Sequence, residues 1–257
     1  MSLLEQTPGL LPALRGEMTP KFLATRSASG VPNVVPVISI LPAEDEPDIL
    51  FFGNFLLRKS IKNLREDSRV GILVITPELQ GWALRADFLE FQRTGPYVDR
   101  QMGSSLLRYN AYTGIRDAGV LRVRSVDGAF RLSRLRVARD YLLARLTALS
   151  RIGRPAAGVA LPLPVRREFA KMAAVKVLAW LGADGYPVVA PALSLQPAGA
   201  GRLVAWGAAP PAGAPVAANI LTFEAISYQA KGRWEDGALR VEEVYAGGPP
   251  IPGGRVA

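Results

Sequence analysis

Short apolar runs separated by Gly and Pro cover most of the chain and predict mainly β structure. The clearest predicted strands after the first hairpin are Val70–Thr76, Trp82–Phe91 and Val120–Val126. Val34–Leu41 is apolar at consecutive positions, so both of its faces should be buried, as they are in a small barrel. The pattern therefore favours a closed or nearly closed β architecture with a few added helices.

The apolar pattern occurs twice in the chain. Phe22–Ala43 (FLATRSASGVPNVVPVISILPA) and Val177–Ala198 (VLAWLGADGYPVVAPALSLQPA) match without a gap at an offset of 155 positions. One deletion later, Ile49–Gly53 (ILFFG) matches Leu203–Gly207 (LVAWG). Self-similarity of this kind indicates a duplicated structural unit.

Each copy begins with a predicted β-hairpin. Its turn carries Ser29-Gly30 in the first copy and Asp184-Gly185 in the second, and each glycine can supply the positive φ of a tight turn. Pro32 and Pro36 remove two ladder donors from the strand that follows, which predicts an edge strand or donor-less positions facing a ligand.

Helices are predicted between and within the copies. Ser133–Ser150 is the strongest, and a short basic helix covers Leu56–Asp67, with Ile61 and Leu64 on its inner face. A further helix, about Val165–Ala174, follows a Gly/Pro-rich linker, Arg151–Pro164. In Ser133–Ser150 the residues expected on a buried stripe are Leu135, Ala138, Leu142, Leu146 and Leu149. The predicted division is residues 1–132, a helical linker 133–175, and a degenerate second copy 176–257.

Composition narrows the chemistry. The 257 residues include no Cys and no His, which excludes disulfides, thiolate ligands and His-based acid/base catalysis, and no metal site is expected. No run of about 18 apolar residues occurs, and Met1–Arg15 has no basic-then-apolar secretion pattern. We therefore expect a cytoplasmic protein that does not bind membranes.

The net charge of +9 allows either a nucleic-acid partner or a basic surface with one anion site. The surplus is concentrated in the central helices without any nucleic-acid recognition motif, which favours a solvated basic face. A more specific signal is the start of Leu56–Asp67, where Arg58, Lys59 and Lys62 lie near a helix N-terminus that favours negative charge. A phosphate held by Arg58, Lys59 and free backbone N–H groups, with help from Ser60, would explain them. A basic exposed helix without a ligand is the alternative.

The residues around this helix resemble the FMN-binding split barrels of the pyridoxamine 5'-phosphate oxidase-like family. The resemblance is carried by a hairpin with G-x-P, a strand ending F-F-G-N-F, then L-L-R-K-S and N-L-R-E-D-S-R-V-G-I-L-V. It covers Phe22–Phe91 well and Val177–Trp234 weakly. It implies a mainly β fold with helices, in which two tandem split barrels form a pseudo-dimer with the second copy as a degenerate wall.

The resemblance also implies the cofactor, FMN, and its neighbours in this chain. Arg58 and Lys59, with Ser60, would bind the phosphate. The other residues implied to border the flavin are Asn33, Val35, Phe52, Gly53, Asn54, Gln80 and Trp82. Three positions depart from the family pattern: Leu57 replaces a Ser, Gly53 replaces a Thr, and Arg85 replaces a Gly of the following strand. A chain without His also lacks the family's Arg-x-His for the pyridoxal substrate, so pyridoxamine-phosphate oxidase activity is not expected.

These observations predict an FMN-dependent oxidoreductase that acts on an unidentified small molecule, with NAD(P)H as a candidate partner and no assigned catalytic residue. Three alternatives stay open: a deazaflavin-dependent reductase using the same basic site, a flavin-binding protein without catalysis, and a basic nucleic-acid-binding protein. Whether the chain dimerises further is also open.

Overall fold

The computed structural model describes residues 2–55, 57–104, 115–151, 158–247 and 254–257. Its strands form two seven-stranded antiparallel sheets. The strands of the first sheet are β1 (Lys21–Arg26), β2 (Pro32–Pro36), β3 (Leu41–Pro42), β4 (Ile49–Gly53), β5 (Arg69–Ile75), β6 (Gln80–Gln92) and β7 (Ala118–Arg131). Those of the second are β8 (Ala174–Leu181), β9 (Pro187–Pro191), β10 (Gln196–Pro197), β11 (Arg202–Val204), β12 (Pro215–Thr222), β13 (Ser227–Glu235) and β14 (Ala238–Ala246). The helices are α1 (Leu3–Gln6), α2 (Leu10–Arg15), α3 (Arg58–Glu66), α4 (Pro96–Met102), α5 (Arg134–Leu149) and α6 (Leu163–Ala170).

The two sheets have the same topology. The first runs β2-β1-β5-β6-β7-β4-β3, and the second, read from its β9 edge, runs β9-β8-β12-β13-β14-β11-β10. Every strand of the first sheet therefore has a counterpart seven strands later in the chain. We call the β1–β7 unit the first repeat and the β8–β14 unit the second repeat. The predicted mainly β fold with two tandem split-barrel copies is confirmed.

The hairpin prediction is confirmed in both repeats. β1 pairs with β2 and β8 pairs with β9, both antiparallel. Gly30 and Gly185 have φ angles of 76° and 78°, the left-handed region that glycine adopts without a steric penalty. β2 is the edge strand of its sheet, so Pro32 and Pro36 remove donors where a partner strand is not required on both sides.

Each repeat has its own apolar core, and a third cluster joins them. This interface cluster contains Phe22, Ala24, Val34, Leu73 and Ile75 of the first repeat and Val177, Ala179, Val189 and Ala217 of the second. All nine side chains are buried. Burial of this apolar surface stabilises the contact between the repeats, which form the predicted pseudo-dimer within one chain.

The face of α5 that packs against the protein differs from the predicted one. The helix itself spans Arg134–Leu149, as expected, but its buried residues are Asp140, Ala144 and Ala148. The two alanines pack with Ala198, Val204 and Ala238 of the second repeat. Small side chains let the helix lie close to the sheet, so the residues of the predicted stripe, Leu135, Ala138, Leu142, Leu146 and Leu149, are exposed instead.

The shorter helices differ slightly from their predicted ranges. In α3, Leu64 is buried as expected and Ile61 is half-buried. α6 ends at Ala170 because Ala174 already begins β8. Part of the predicted linker, residues 152–157, lies outside the described residues. In the described part of the chain, no helix combines the length and apolar character needed to cross a bilayer.

Candidate functional site

A cavity of about 340 Å³ lies where the two repeats meet. The first repeat contributes β2, the segment after it, the end of β4 and the start of α3. The second repeat contributes β12, β13 and the end of β14. The lining residues are Asn33, Val35, Pro36, Val37, Ile38, Ser39, Gly53, Phe55, Leu57, Arg58, Lys59, Ser60, Asn219, Leu221, Ala225, Ser227, Gln229, Tyr245, Ala246 and Gly247. Its size falls within the range of about 300–1,000 Å³ that small-molecule sites occupy.

The N-terminus of α3 forms one end of the cavity. Leu57 is the N-cap residue, and it makes no side-chain capping hydrogen bond. The first turn contains no acidic residue and instead carries Arg58 and Lys59. The first N–H groups of a helix need partners, and its dipole favours an anion there. This end of the cavity is therefore electropositive and supplies free donors.

Arg58 and Lys59 differ in their surroundings. Both line the cavity and both are exposed. Among the described residues, Arg58 has no ion-pair or hydrogen-bond partner. Lys59, by contrast, donates a hydrogen bond of 2.5 Å to the hydroxyl of Tyr245 in the second repeat. Arg58 is thus the side chain left available for a ligand, while Lys59 also connects the repeats.

Lys59 belongs to a charged group that spans both repeats. Its Nζ lies 3.8 Å from a carboxylate oxygen of Glu243, and the Tyr245 hydroxyl donates a 2.6 Å hydrogen bond to that carboxylate. Burial lowers the pKa of Lys59, with Glu243 opposing the shift. Burial, together with the hydrogen bond to Glu243, raises the pKa of Tyr245. Tyr245 therefore stays a neutral hydrogen-bonding group.

Three polar side chains of the second repeat line the cavity. Gln229 donates a 2.5 Å hydrogen bond to the carbonyl of Val34, across the interface. Asn219 and Ser227 bond each other at 3.3 Å. Since all three are almost fully buried, their remaining donors and acceptors face either the cavity or the protein interior. Buried amides of this kind can recognise the polar edge of a planar ring.

The structure brings six of the sequence-predicted site residues together at the cavity. They are Asn33, Val35, Gly53, Arg58, Lys59 and Ser60. Ser60 is buried and accepts a 3.1 Å hydrogen bond from the Asn33 side chain. That bond fixes the start of α3 against β2, and the hydroxyl can still donate to a ligand.

The other four predicted residues do not line the cavity. Phe52 is fully buried in the core of the first repeat, because alternation along β4 points it away from Gly53. Asn54 is buried, and its backbone pairs with Asp117 and Arg116. Trp82 is part of the same core as Phe52, and both Trp82 and Gln80 lie beside Gly9 of the N-terminal segment.

The sequence pattern predicts no site residue in the second repeat, although Asn219, Ser227, Gln229 and Tyr245 all line the cavity. The recognisable sequence repeat ends at Gly207, before β12 begins. A signal existed in Asn219 and Gln229, which are buried amides within apolar strands. Gln229 lines the cavity, whereas Gln80 does not.

Comparisons with known proteins give structural likeness alone. No protein-family model matches the chain, and no curated protein matches it. An FMN-binding protein from Syntrophomonas wolfei subsp. wolfei is 17% identical, with a TM-score of 0.41, over 51% of this chain and 88% of that chain. HupZ from Group A Streptococcus is 18% identical, with a TM-score of 0.39, over 50% and 94%. An F420 reductase is 18% identical, with a TM-score of 0.36, over 49% and 100%.

The strand order and register of the two sheets define the class of fold. It is a split barrel, present here in two tandem copies that meet along one apolar interface. The cavity lies at that interface and takes its lining from both copies.

Proposed function

We propose that the chain binds FMN in the cavity between its repeats and acts as an FMN-dependent oxidoreductase on a small molecule. The observation that carries the proposal is Arg58. Its guanidinium has no protein partner among the described residues, it lies at an uncapped helix N-terminus, and it borders a cavity of ligand size. A phosphate there would satisfy the helix N–H groups and the guanidinium together.

The types of residue that line the cavity support binding of a phosphorylated flavin. Arg58, the first-turn N–H groups and Ser60 would hold the phosphate. Asn33 and residues 35–39 line one wall, and the Asn219 and Gln229 amides are available for the polar edge of the ring. The rest of the lining is largely apolar, which suits an isoalloxazine ring that must be shielded from water.

A bound flavin would supply hydride transfer, and the protein would supply binding and orientation. The described cavity lining includes no carboxylate, and the chain has no His or Cys. The lining residues would therefore orient a cofactor and exclude water, and Lys59, whose pKa is lowered by burial, is the lining group best suited to donate a proton. NAD(P)H or an organic molecule would serve as hydride partner.

The direct test is titration of the protein with FMN, followed by quenching of flavin fluorescence. A charged hydrogen bond contributes about 1.5–3 kcal/mol, so Arg58→Ala should weaken FMN binding by roughly 10–100-fold. The double variant Arg58→Ala/Lys59→Ala should lose about 3–6 kcal/mol. FMN affinity equal to that of the wild type in the double variant would refute the phosphate site.

Lys62→Ala is the matched control. Lys62 lies one turn further along α3, its side chain is 75% exposed, and it pairs with Glu66 at 3.8 Å. It removes one positive charge from the same helix without touching the cavity lining. FMN affinity should stay within about twofold of the wild type, since an exposed ion pair contributes at most about 1 kcal/mol.

The same titration separates the alternatives. A deazaflavin cofactor would bind through the same basic end, so it competes with FMN, and the tighter of the two identifies the cofactor. A protein that binds FMN but leaves its reduction by NAD(P)H unaccelerated is a flavin carrier. A protein that binds neither flavin, but retards labelled DNA in a gel in a salt-sensitive way, is a nucleic-acid-binding protein.

A further inference from the structure

The outer side of α5 is apolar although it faces solvent. Four of its leucines, which we call the leucine stripe, are between 49% and 83% exposed: Leu135, Leu142, Leu146 and Leu149. With 3.6 residues per turn they fall within an arc of about 60°, and with a rise of 1.5 Å per residue they extend over about 21 Å. Single exposed leucines are common on protein surfaces, but a continuous exposed stripe indicates a contact site.

Hydrogen bonds fix the orientation in which α5 exposes this stripe. The Tyr141 hydroxyl donates to the carbonyl of Ala170 at 2.9 Å, and the Gln196 side chain donates to the carbonyl of Tyr141 at 2.9 Å. The indole N–H of Trp206 donates to the Thr147 hydroxyl at 3.2 Å. Turning the leucines inward would break these bonds and the packing of the alanine face on the second repeat. The stripe is therefore covered from outside, if it is covered at all.

Positive charges flank the leucine stripe. Helical geometry places Arg134 and Arg145 on one side of it and Arg139 on the other, and all three are exposed. The one acidic residue of α5, Asp140, lies on the buried face, where Arg136 and Arg139 pair with it. The exposed side of α5 thus presents apolar and positively charged groups and no carboxylate.

These two properties together select the occupant of the surface. A second copy of the chain would cover the leucines, but it would bring arginines of one α5 against those of the other, and like charges repel. A nucleic acid would match the charge, but its phosphate backbone offers no apolar layer to the leucines. An anionic bilayer matches both properties, because its acyl chains lie directly beneath negatively charged headgroups.

We propose that α5 docks the protein onto an anionic lipid bilayer, with the leucine stripe at the boundary between headgroups and acyl chains and the flanking arginines among the lipid phosphates. The helix then lies parallel to the membrane surface, with its apolar side about 5–10 Å deep. This orientation needs no bilayer-spanning segment, so the proposal departs from the sequence-based expectation that the protein does not bind membranes. No residue of α5 lines the cavity, so the proposal is independent of the bound cofactor.

The experiment is sedimentation of the protein with vesicles of phosphatidylcholine that contain about 30% phosphatidylserine, compared with phosphatidylcholine alone. The wild type should bind the anionic vesicles at least about tenfold more tightly, and about 1 M salt should remove most of that preference. Leu142→Gln/Leu146→Gln should weaken binding to the anionic vesicles at least about tenfold, because the stripe loses apolar area. Arg134→Gln/Arg145→Gln should weaken it by a similar factor.

Two exposed residues away from α5 supply the controls. Met18 is 78% exposed in the turn before β1, and Arg93 is exposed after β6. Met18→Gln removes an apolar side chain and Arg93→Gln removes a positive charge, and both variants should bind the vesicles within about twofold of the wild type. All substituted side chains are exposed, so each variant should keep the melting temperature and the FMN affinity of the wild type.

Three outcomes would overturn the proposal. The first is a wild type that remains in the supernatant with the anionic vesicles. The second is vesicle binding that Leu142→Gln/Leu146→Gln leaves unchanged, since binding would then use another surface. The third is a wild-type dimer in gel filtration that the same double variant converts to a monomer, because a second copy would then cover the leucine stripe. Because FMN binding is measured on the same variants, failure of the membrane proposal is distinguishable from failure of the proposed function.

Discussion

The duplication creates two equivalent clefts between the repeats, and they differ in what fills them. The open cleft is the cavity lined by β2, α3 and β12–β14. The filled cleft is its counterpart beside β5–β7, where Phe130 and Leu132 pack against the interface cluster. Phe130 pairs with Gly81, and a Cβ on Gly81 would lie 2.4 Å from the Phe130 ring. In the open cleft the corresponding pair is Gly247 and Ser227.

The strands that form the walls of the two clefts also differ in their side chains. Asn219 and Gln229 pair across β12 and β13, and their counterparts across β5 and β6 are Leu73 and Ala83. The basic helix α3 has no counterpart after Gly207, where residues 208–214 are rich in Pro and Gly. One fold thus holds a polar cavity on one side and an apolar contact on the other. A few side chains, rather than the topology, decide which cleft can bind a ligand.

The largest expected effect on FMN binding comes from substitutions that introduce the equivalent of the Phe130–Gly81 pair into the open cleft. In Ser227→Gly/Gly247→Phe, the glycine removes the Ser227 Oγ and Cβ, which lie 2.8 and 2.9 Å from a Cβ at position 247, and only the backbone carbonyl at 3.0 Å remains. The new ring should then fill the cavity as Phe130 fills its counterpart. FMN binding, measured by fluorescence quenching, should weaken more than about 100-fold, the equivalent of about 2.8 kcal/mol.

Ser227→Gly alone is the control for this exchange and should keep FMN affinity within about tenfold, since it removes one hydroxyl without adding volume. Wild-type FMN affinity in the double variant, with circular dichroism unchanged, would exclude the open cleft as the flavin site.

Removing the Phe130 side chain from the filled cleft should lower the stability of the protein without changing its binding of FMN. Phe130 is half-buried, so Phe130→Ala should lower the free energy of unfolding by about 2 kcal/mol, less than the 3–5 kcal/mol typical of a fully buried Phe. Calorimetric titration should still give one FMN per chain, because Leu73 and Ala83 supply no amides there. A second equivalent of FMN would contradict the view that polar side chains define the site.

A second pair of equivalent positions differs in hydrogen bonding. Lys21 and Lys176 are both fully buried, at the same place in β1 and β8. Lys21 donates to the carbonyls of Gly16 and Ile38 at 2.8 and 3.0 Å. The Lys176 ammonium has no hydrogen-bond partner among the described residues, and burial lowers its pKa to about 7.

Lys176→Met should therefore stabilise the protein, by about 1–3 kcal/mol near pH 7 in urea unfolding. Lys21→Met should destabilise it by a similar amount, because two carbonyls lose their donor. Between about pH 7 and about pH 10, the unfolded state binds a proton at Lys176 that the folded state does not, so wild-type stability rises with pH. The advantage of Lys176→Met should shrink over that range, and an advantage independent of pH would contradict this cause.

The local features of the fold could be predicted from the sequence because they depend on neighbouring residues. Gly30 and Gly185 mark their turns, and Pro32 and Pro36 mark an edge strand, whatever packs around them. The inner face of α5 could not be predicted in this way. Leu142 and Leu146 recur at the same helical spacing as Ala144 and Ala148, and only the shape of the second repeat decides which pair is buried.

Only the part of the candidate site that belongs to the first repeat could be predicted from the sequence. Asn33, Arg58 and Lys59 lie within one hairpin and one helix of the first repeat, where the family resemblance is strong. Gln229 reaches the cavity because the two repeats pack together, and its bond to Val34 joins residues 195 positions apart. No local pattern encodes such a contact. Gln80 is predicted from its position after β5, whereas the glutamine that lines the cavity, Gln229, belongs to the second repeat.

The smallest expected effect concerns the ion pairs that neutralise Arg85. Arg85 and its partners Asp127 and Asp184 are each 35–40% exposed, so water screens their attraction. Arg85→Met should lower the free energy of unfolding by less than about 1 kcal/mol, and the difference from the wild type should shrink in about 1 M salt. Lys231→Met, at the equivalent but buried position, should instead raise the stability of the ligand-free protein below about pH 7, because burial lowers the pKa of Lys231 to about 7 and the lysine is charged in the folded state below that value. Equal effects of the two variants on the free energy of unfolding at low salt would contradict this difference between an exposed, ion-paired arginine and a buried lysine.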